Sequence, residues 1–121
     1  MEHALYDGTG HPIAYIADDQ ESSIFLWEGH AVAYLHDNHI YGWNGKHLGW
    51  FIDGVLHDLH GLRTGSVGKK CPYALYAQPA KYAKYAKYAK YARYAPYAQS
   101  ALSSGYSKQP LKSFLMDGAV G

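Results

Sequence analysis

Residues 40–51, IYGWNGKHLGWF, decide the fold, because their pattern occurs four times in the chain. An apolar residue stands five positions before Gly45, and a small residue stands four positions after it. The four copies are anchored on Gly10, Gly29, Gly45 and Gly61, which are 19, 16 and 16 residues apart. The other copies are LYDGTGHPIAYI (5–16), IFLWEGHAVAYL (24–35) and LHDLHGLRTGSV (56–67), the last being degenerate after its glycine.

Each repeat is typical of a β-hairpin. An apolar and aromatic run precedes the glycine, and a run rich in β-branched and aromatic residues follows it. Glycine suits a turn position that needs a positive φ, where a Cβ would clash. Further turn signals separate the repeats, namely ADDQESS (17–23), HDNH (36–39) and Asp53-Gly54. A 16-residue period fits two strands of about five residues with two turns.

The second strand of each hairpin is apolar on both faces. Ile13 and Tyr15 alternate with Ala14 and Ile16, so neither face is expected to be open to water. The recurrent small residue indicates strands that converge on a shared axis. The sequence therefore predicts an all-β fold over residues 1–68, a small pseudo-fourfold antiparallel barrel of hairpin repeats with no free edge.

The stretches IAYIADDQ (13–20) and VAYLHDNHIYGWNGKHLGWFIDG (32–54), with the basic triplets that follow, resemble the four-fold beta flower family. The resemblance covers roughly residues 4–68. It implies a small bacterial protein with a shallow symmetric barrel, often followed by basic triplets that have proline where this chain has tyrosine. The family implies no catalytic residues. A loose likeness to tubby-type phosphoinositide-binding barrels makes membrane lipid a candidate ligand.

Residues 69–121 form a second region with the opposite charge. Residues 1–68 carry two basic and nine acidic side chains, a net charge of −7. Residues 69–121 carry nine basic side chains against Asp117 alone, a net charge of +8, and nine of the 13 tyrosines. We therefore predict a barrel over 1–68 and a basic, low-complexity tail over 69–121 that meets something anionic.

The triplets of residues 72–101 leave three conformations open. In polyproline II, with three residues per turn, Lys, Tyr and Ala would each form a straight stripe. In an α-helix the stripes would wrap the surface, and in a strand Tyr would fall alternately on both faces. The propensity of Ala and Lys favours a helix between Pro79 and Pro96. Because such a helix is marginal alone, we expect a disordered or marginally helical tail that becomes ordered on a partner.

The regular cations predict contact with an anionic surface, either membrane lipid or single-stranded nucleic acid. The interleaved tyrosines can stack on bases or lie at a lipid interface. Alternatives are a tether, or an arm that contacts the acidic body of its own chain or of another copy in a homo-oligomer. The end, PLKSFLMDGAVG (110–121), is a candidate docking peptide. The predicted anion-contacting residues are Lys81, Lys84, Lys87, Lys90, Arg93, Tyr82, Tyr85, Tyr88, Tyr91 and Tyr94.

A second candidate site is a ring at the barrel turns. His11, His30 and Lys46 directly follow three of the repeat glycines. Under pseudo-fourfold symmetry they would lie in one ring that binds an anion or responds to pH near 6.5. The alternative is that polar residues simply follow exposed turns.

Metal binding and catalysis have little support. The pairs His36-x-x-His39 and His57-x-x-His60 have short spacings, but side chains three apart in a strand point to opposite faces. A G-x-S-x-G motif and a phosphate-binding glycine loop are both missing from the sequence. We therefore predict no enzyme, no catalytic residue, no metal site and no cofactor. The aromatic residues assigned to the core, with an apolar pocket at the barrel mouth as the alternative, are Trp27, Trp43, Trp50, Tyr15 and Tyr34.

The single cysteine, Cys71, fits a reducing compartment. The N-terminal residues do not read as a secretory signal, and no run approaches the ~18 apolar residues of a membrane span. The sequence thus predicts a cytoplasmic protein, free or peripheral at a membrane. The expected function is a non-catalytic binding or scaffolding module whose basic tail attaches to an anionic surface. The alternative is a self-associating structural protein whose basic tail pairs with acidic barrels.

Overall fold

The computed structural model describes residues 2–120 and confirms an all-β closed barrel. Every strand is antiparallel to its neighbours in the chain, and the last strand pairs with the first, which closes the sheet. The strands are β1 (His3–Tyr6), β2 (Pro12–Ile16), β3 (Ser23–Leu26), β4 (Ala31–His36), β5 (His39–Gly42), β6 (His47–Ile52), β7 (Val55–His57) and β8 (Arg63–Val67). After the strands come a 3₁₀ turn, Gly68–Lys70, and one short helix, α1 (Leu111–Met116).

The predicted hairpins are β1–β2, β3–β4, β5–β6 and β7–β8, and their turns share one geometry. In each turn the glycine N–H donates to the carbonyl oxygen three residues earlier. The predicted positive φ is confirmed at all four positions. The φ angles are +93° at Gly10, +111° at Gly29, +90° at Gly45 and +82° at Gly61.

A β-bulge in every hairpin is a feature that strict alternation did not predict. In the first hairpin Leu5 pairs with Ala14 but Tyr6 pairs with Pro12, which leaves Ile13 as the extra residue. Ile13 therefore packs against the central core, whereas Tyr15, expected on the same face, lies in a separate cluster with Phe25. The residues at the equivalent bulges are Val32, Leu48 and Thr64, and all three are buried.

The small residues predicted near a shared axis are needed because neighbouring backbone lies close to them. A Cβ on Gly49 would collide with the carbonyl oxygen of His57 on the adjacent strand. A Cβ on Gly65 would lie 2.6 Å from the carbonyl oxygen of Tyr6 and 2.7 Å from a methyl carbon of Leu111. The tight contacts are thus with the next strand and with α1.

Helix α1 lies at the glycine-turn end of the barrel and completes the core. Its side chains Leu111, Phe114 and Leu115 are 1%, 3% and 0% exposed and belong to the central hydrophobic cluster. The segment after it is also seated, since Gly118 accepts a hydrogen bond from the N–H of Asn44. The candidate docking peptide therefore docks on its own barrel. The predicted tail, residues 69–121, thus contains a helix that is part of the barrel core.

Between the barrel and α1, residues 72–107 run around the barrel past the four glycine turns; we call this segment the belt. No helix forms in residues 71–110, so the marginal helix expected over the triplets is replaced by extended chain. The reason is that in a helix the backbone N–H groups would donate to carbonyl oxygens of the same helix. An extended chain leaves them free to bond to the barrel.

Candidate functional site

The belt is held in register with the hairpins by a nine-residue step. Main-chain N–H groups nine residues apart donate to the carbonyl oxygens of the four turn glycines, at 2.9–3.0 Å. Nine residues are three triplets, so each hairpin receives three turns of a polyproline-II-like chain, about 28 Å long. The donor and acceptor pairs are Tyr76 and Gly10, Tyr85 and Gly29, Tyr94 and Gly45, and Ser103 and Gly61.

The turn glycines are required a second time by this close approach. A Cβ on any of the four would collide with a belt carbonyl oxygen. These oxygens belong to residues that are again nine apart, Ala74, Ala83, Ala92 and Ala101. The third residue of each of those triplets thus turns its carbonyl oxygen toward the barrel, while its side chain stays exposed. Three triplets of the belt therefore correspond to one hairpin of the barrel.

The predicted lysine stripe turns inward and pairs with the acidic body. Lys81 and Lys84 both contact the carboxylate of Glu2, Lys84 at 2.9 Å. The hydrogen bonds from these two lysines hold the pKa of Glu2 below its ordinary value. The glutamate in turn raises the pKa of Lys84. The predicted anion contacts are thus occupied by a carboxylate of the same chain.

A second carboxylate group receives the next two lysines. Lys87 lies 2.6 Å from Glu21 and 3.1 Å from Asp19, and Lys90 lies 3.0 Å from Glu21. Hydrogen bonds from the two lysines lower the pKa of Glu21. At Asp19 burial opposes ionisation, but hydrogen bonds from Ser23 and Lys87 prevail and the pKa is lowered.

The same cations lie over aromatic rings on the outer face of the barrel. Lys81 is 4.5 Å from the ring centre of Tyr15, and Lys90 is 4.4 Å from that of Tyr34. The guanidinium of Arg93 is 5.8 Å from the ring centre of Tyr41. These rings are almost completely buried, so the expected core role of Tyr15 and Tyr34 is realised under the belt rather than inside the barrel.

The belt contains nine tyrosines, which form its exposed aromatic surface except at Tyr106, whose hydroxyl is buried. Eight of them are 55–65% exposed, including the five that the sequence singled out. Three were missed because their triplets lack a basic residue or lie outside the basic run. These are Tyr73, Tyr76 and Tyr97, and the nine-residue step is the signal that would have found them.

The predicted ring at the turns is partly taken up by the belt. His11 stacks on Tyr76 at 4.2 Å between ring centres, and His30 stacks on Tyr85 at 4.3 Å. Lys46 lies exposed at the third turn, where its N–H donates to Asn44. Two of the three residues are thus platforms for belt tyrosines, and anion binding by the ring stays a prediction.

The other histidines and tryptophans take separate roles. His36 and His39 do not lie on one strand as expected from the sequence: they pair with each other across the turn between β4 and β5, and His39 also hydrogen-bonds to His47. His57 bonds to the carbonyl oxygen of Gly61. Within residues 2–120 no cluster of three or more His, Cys, Asp or Glu side chains has the geometry to hold a metal ion. The tryptophans Trp43 and Trp50 are 1% exposed, whereas Trp27 is half-buried beside Tyr15.

Comparisons with known proteins found one family. The model of the family described as "4-fold beta flower protein" matches residues 3–115, which includes the belt and most of α1 as well as the barrel. No curated protein and no solved structure matches the chain. Across the part of the chain that the structure describes, no helix is both long and apolar enough to cross a membrane.

Proposed function

This chain belongs to the 4-fold beta flower family, and from that premise we propose that it is a non-catalytic binding module that attaches to the interface of an anionic membrane through the tyrosines of its belt. The observation that carries the proposal is the set of eight belt tyrosines, each more than half exposed. A tyrosine ring has an apolar body and a polar tip, which suits the boundary between lipid headgroups and acyl chains.

The internal pairing of the lysines favours lipid over nucleic acid. Nucleic-acid binding draws most of its affinity from lysine and arginine contacts to phosphates. Here Lys81, Lys84, Lys87 and Lys90 already contact carboxylates of the body, so each phosphate contact would first have to displace an ion pair. The eight exposed tyrosines need no such exchange, because each is already more than half exposed.

The anionic preference comes from basic side chains that are exposed elsewhere in the second region. Lys69, Lys108 and Lys112 are exposed and lie outside the lysine pairs with Glu2, Asp19 and Glu21. Each basic group near an anionic membrane contributes about 1 kcal/mol, which falls off within a Debye length. We therefore expect binding that is strengthened by anionic lipid but only moderately weakened by salt.

The test is co-sedimentation of the full chain with vesicles of mixed phosphatidylcholine and anionic phosphatidylglycerol, compared with vesicles of phosphatidylcholine alone. The variant changes Tyr82, Tyr88, Tyr91 and Tyr94 to Ser, and the matched control changes the same four to Phe. Tyr76 and Tyr85 are left intact because they stack on histidines. We expect vesicle binding to be lost in the Ser variant and kept in the Phe control.

The same proteins are titrated with a single-stranded oligothymidylate. Tighter binding to the oligonucleotide than to vesicles, with a steep loss in salt, would overturn the membrane proposal in favour of nucleic acid. Vesicle binding that is unchanged in the Ser variant would overturn the role of the tyrosines.

Self-association is a second candidate, and the ion pairs between belt and barrel favour it. The belt joins the barrel through the 3₁₀ turn Gly68–Lys70, so an exchange of belts between two copies would form the same contacts. Sedimentation equilibrium of the full chain tests this. A concentration-dependent dimer that dissociates in high salt supports belt exchange, and a monomer in low salt excludes it.

A further inference from the structure

We propose that His39 and His47 form a pH-sensitive latch that holds the belt to the third hairpin at neutral pH and releases residues 95–99 on acidification. The latch would regulate the belt surface that the proposed function uses. Its existence does not depend on what the belt binds. It rests on three groups that meet under the belt: the two imidazoles and the main-chain N–H of Tyr97.

The hydrogen bonds determine where the protons of the pair lie. The N–H of Tyr97 donates to Nδ1 of His47 at 3.1 Å, so this nitrogen carries no proton. His47 must then be protonated at Nε2, which lies 3.0 Å from Nδ1 of His39 and donates to it. His39 consequently carries its own proton on Nε2. A main-chain N–H thus sets the tautomers of both rings.

One further proton breaks this chain wherever it is placed. On Nδ1 of His47 it would oppose the N–H of Tyr97. On Nδ1 of His39 it would oppose the N–H at Nε2 of His47. If His47 then moved its own proton to Nδ1 to accept from His39, that proton would again oppose Tyr97. The neutral pair is therefore the form that keeps both hydrogen bonds.

The surroundings oppose charge on His47. The residue is 4% exposed, and its ring contacts Trp50 at 5.1 Å and Tyr97 at 5.8 Å between ring centres. Burial and, second, the neighbouring His39 lower the pKa of His47 below its ordinary value, and a hydrogen bond to the backbone of Gly49 opposes them only in part. A lowered histidine pKa means that the unfolded chain binds more protons. The stabilising effect is thus complete above about pH 6.5 and is lost as the pH falls from there through the folded-state pKa.

Among residues 2–120, no nearby acid group can pair with a protonated His47 without first opening the latch. Both ring nitrogens of His47 have partners, so a carboxylate can reach the cation only after one of these partners leaves. Asp58 meanwhile accepts from the N–H groups of His60 and Leu62, and Asp117 accepts from Gln109. The titratable and charged groups around His47 are His39 and Tyr41 on β5, Lys46 beside it, Asp58 and His60 at the fourth turn, Arg93, Tyr94 and Tyr97 of the belt, and Asp117 after α1.

The release is local, because the belt is held on both sides of Tyr97. The N–H of Tyr94 donates to Gly45, and the hydroxyl of Tyr41 donates to the carbonyl oxygen of Tyr94. On the other side the hydroxyl of Ser100 donates to the carbonyl oxygen of Leu59 at 2.7 Å. The segment between these bonds is therefore the part that acidification frees.

Amide hydrogen exchange of the full chain, measured by NMR between pH 7.5 and 5.0 and corrected for the intrinsic rate, tests the latch. The Tyr97 amide should lose up to about tenfold of its protection for each pH unit between about pH 6.5 and the folded-state pKa of His47, and the loss should level off below that pKa. The Tyr85 amide, which bonds to Gly29, should keep its protection. In His47→Asn the side-chain oxygen can replace Nδ1 as acceptor without titrating, so the protection of Tyr97 should become independent of pH.

The matched control is His36→Gln, since His36 is a half-buried histidine that makes no hydrogen bond to Tyr97, and it should respond like the parent chain. Unchanged Tyr97 protection in the parent chain down to pH 5.0 would overturn the latch. So would a loss of protection in His47→Asn over the same pH range. Should that variant fail to fold, the imidazole nitrogen shifts of the parent chain decide: separate titration of His39 and His47 without a change at the Tyr97 amide refutes the proposal.

Discussion

The barrel and the belt are held together by different forces. In the barrel, apolar side chains from every strand and from α1 meet in one buried cluster. The belt buries none of its tyrosine rings fully and is held by main-chain hydrogen bonds, ion pairs and cation–ring contacts. The comparison teaches that a low-complexity segment can take a single course when its period matches that of its own support.

The two regions are nevertheless coupled, because the belt carries α1 back to the barrel. A chain cut after residue 68 would lose Leu111, Phe114 and Leu115 from the core. Experiments that compare the barrel alone with the full chain would thus change the fold and the belt together. Point substitutions separate the two regions more cleanly.

The largest effect is expected where α1 enters the core. Phe114→Ala should lower the free energy of unfolding by about 3–5 kcal/mol, because it leaves a cavity in the central cluster. Urea denaturation followed by tryptophan fluorescence measures it. Met116→Ala, on the exposed side of the same helix, is the control and should cost less than about 1 kcal/mol. Equal effects of both substitutions would show that α1 does not close the barrel.

A smaller effect is expected where belt and barrel touch. Gly29→Ala forces a side chain into φ +111° and against the carbonyl oxygen of Ala83, so we expect a loss of at least about 1–2 kcal/mol. Gly105→Ala is the matched control, since its Cβ would lie 3.4 Å or more from its neighbours. The Tyr85 amide should exchange faster only in the first variant. If the control behaves like Gly29→Ala, the close approach of the belt is refuted.

The smallest effect is expected at the ion pairs. The lysines hold the pKa of Glu2 and Glu21 below the ordinary value, so their contribution is present above about pH 4.5 and is lost as the pH falls through the folded-state pKa. Glu21→Gln should cost about 0–1 kcal/mol at pH 7 and should flatten the acid limb of the stability curve. The exposed Glu28→Gln serves as the control. A steeper acid limb in Glu21→Gln would contradict this assignment.

Much of the barrel could be predicted from the sequence because hairpins are local. The repeat around Gly45, its φ above zero and the closing of four hairpins into a barrel all follow from spacing and sterics, and they are confirmed. The bulges were not predicted, because leaving Ile13 unpaired depends on how two strands meet. The burial of α1 was not predicted either, because the sequence PLKSFLMDGAVG does not indicate which surface covers its apolar residues.

The residues of the candidate site could be predicted from the sequence, but the directions in which their side chains point could not. The sequence pointed to the lysines and tyrosines of the triplets, and the structure separates them into an inward and an outward stripe. Three residues per turn allowed such stripes, but the choice of inner face required the positions of Glu2, Asp19 and Glu21. The latch at His47 had no local signal, because Tyr97 is 50 residues away along the chain.

By itself the sequence determined the hairpins, the glycine turns and the spacing of charge along the tail, because each depends on neighbours within a few residues. Only the tertiary structure decided that the tail is an extended belt, that its lysines face the acidic body and that α1 closes the barrel. The physical reason is that an extended triplet chain has no hydrogen bonds of its own. Its conformation is selected by the row of turn carbonyls on which it lies, and that row exists only once the four hairpins have come together.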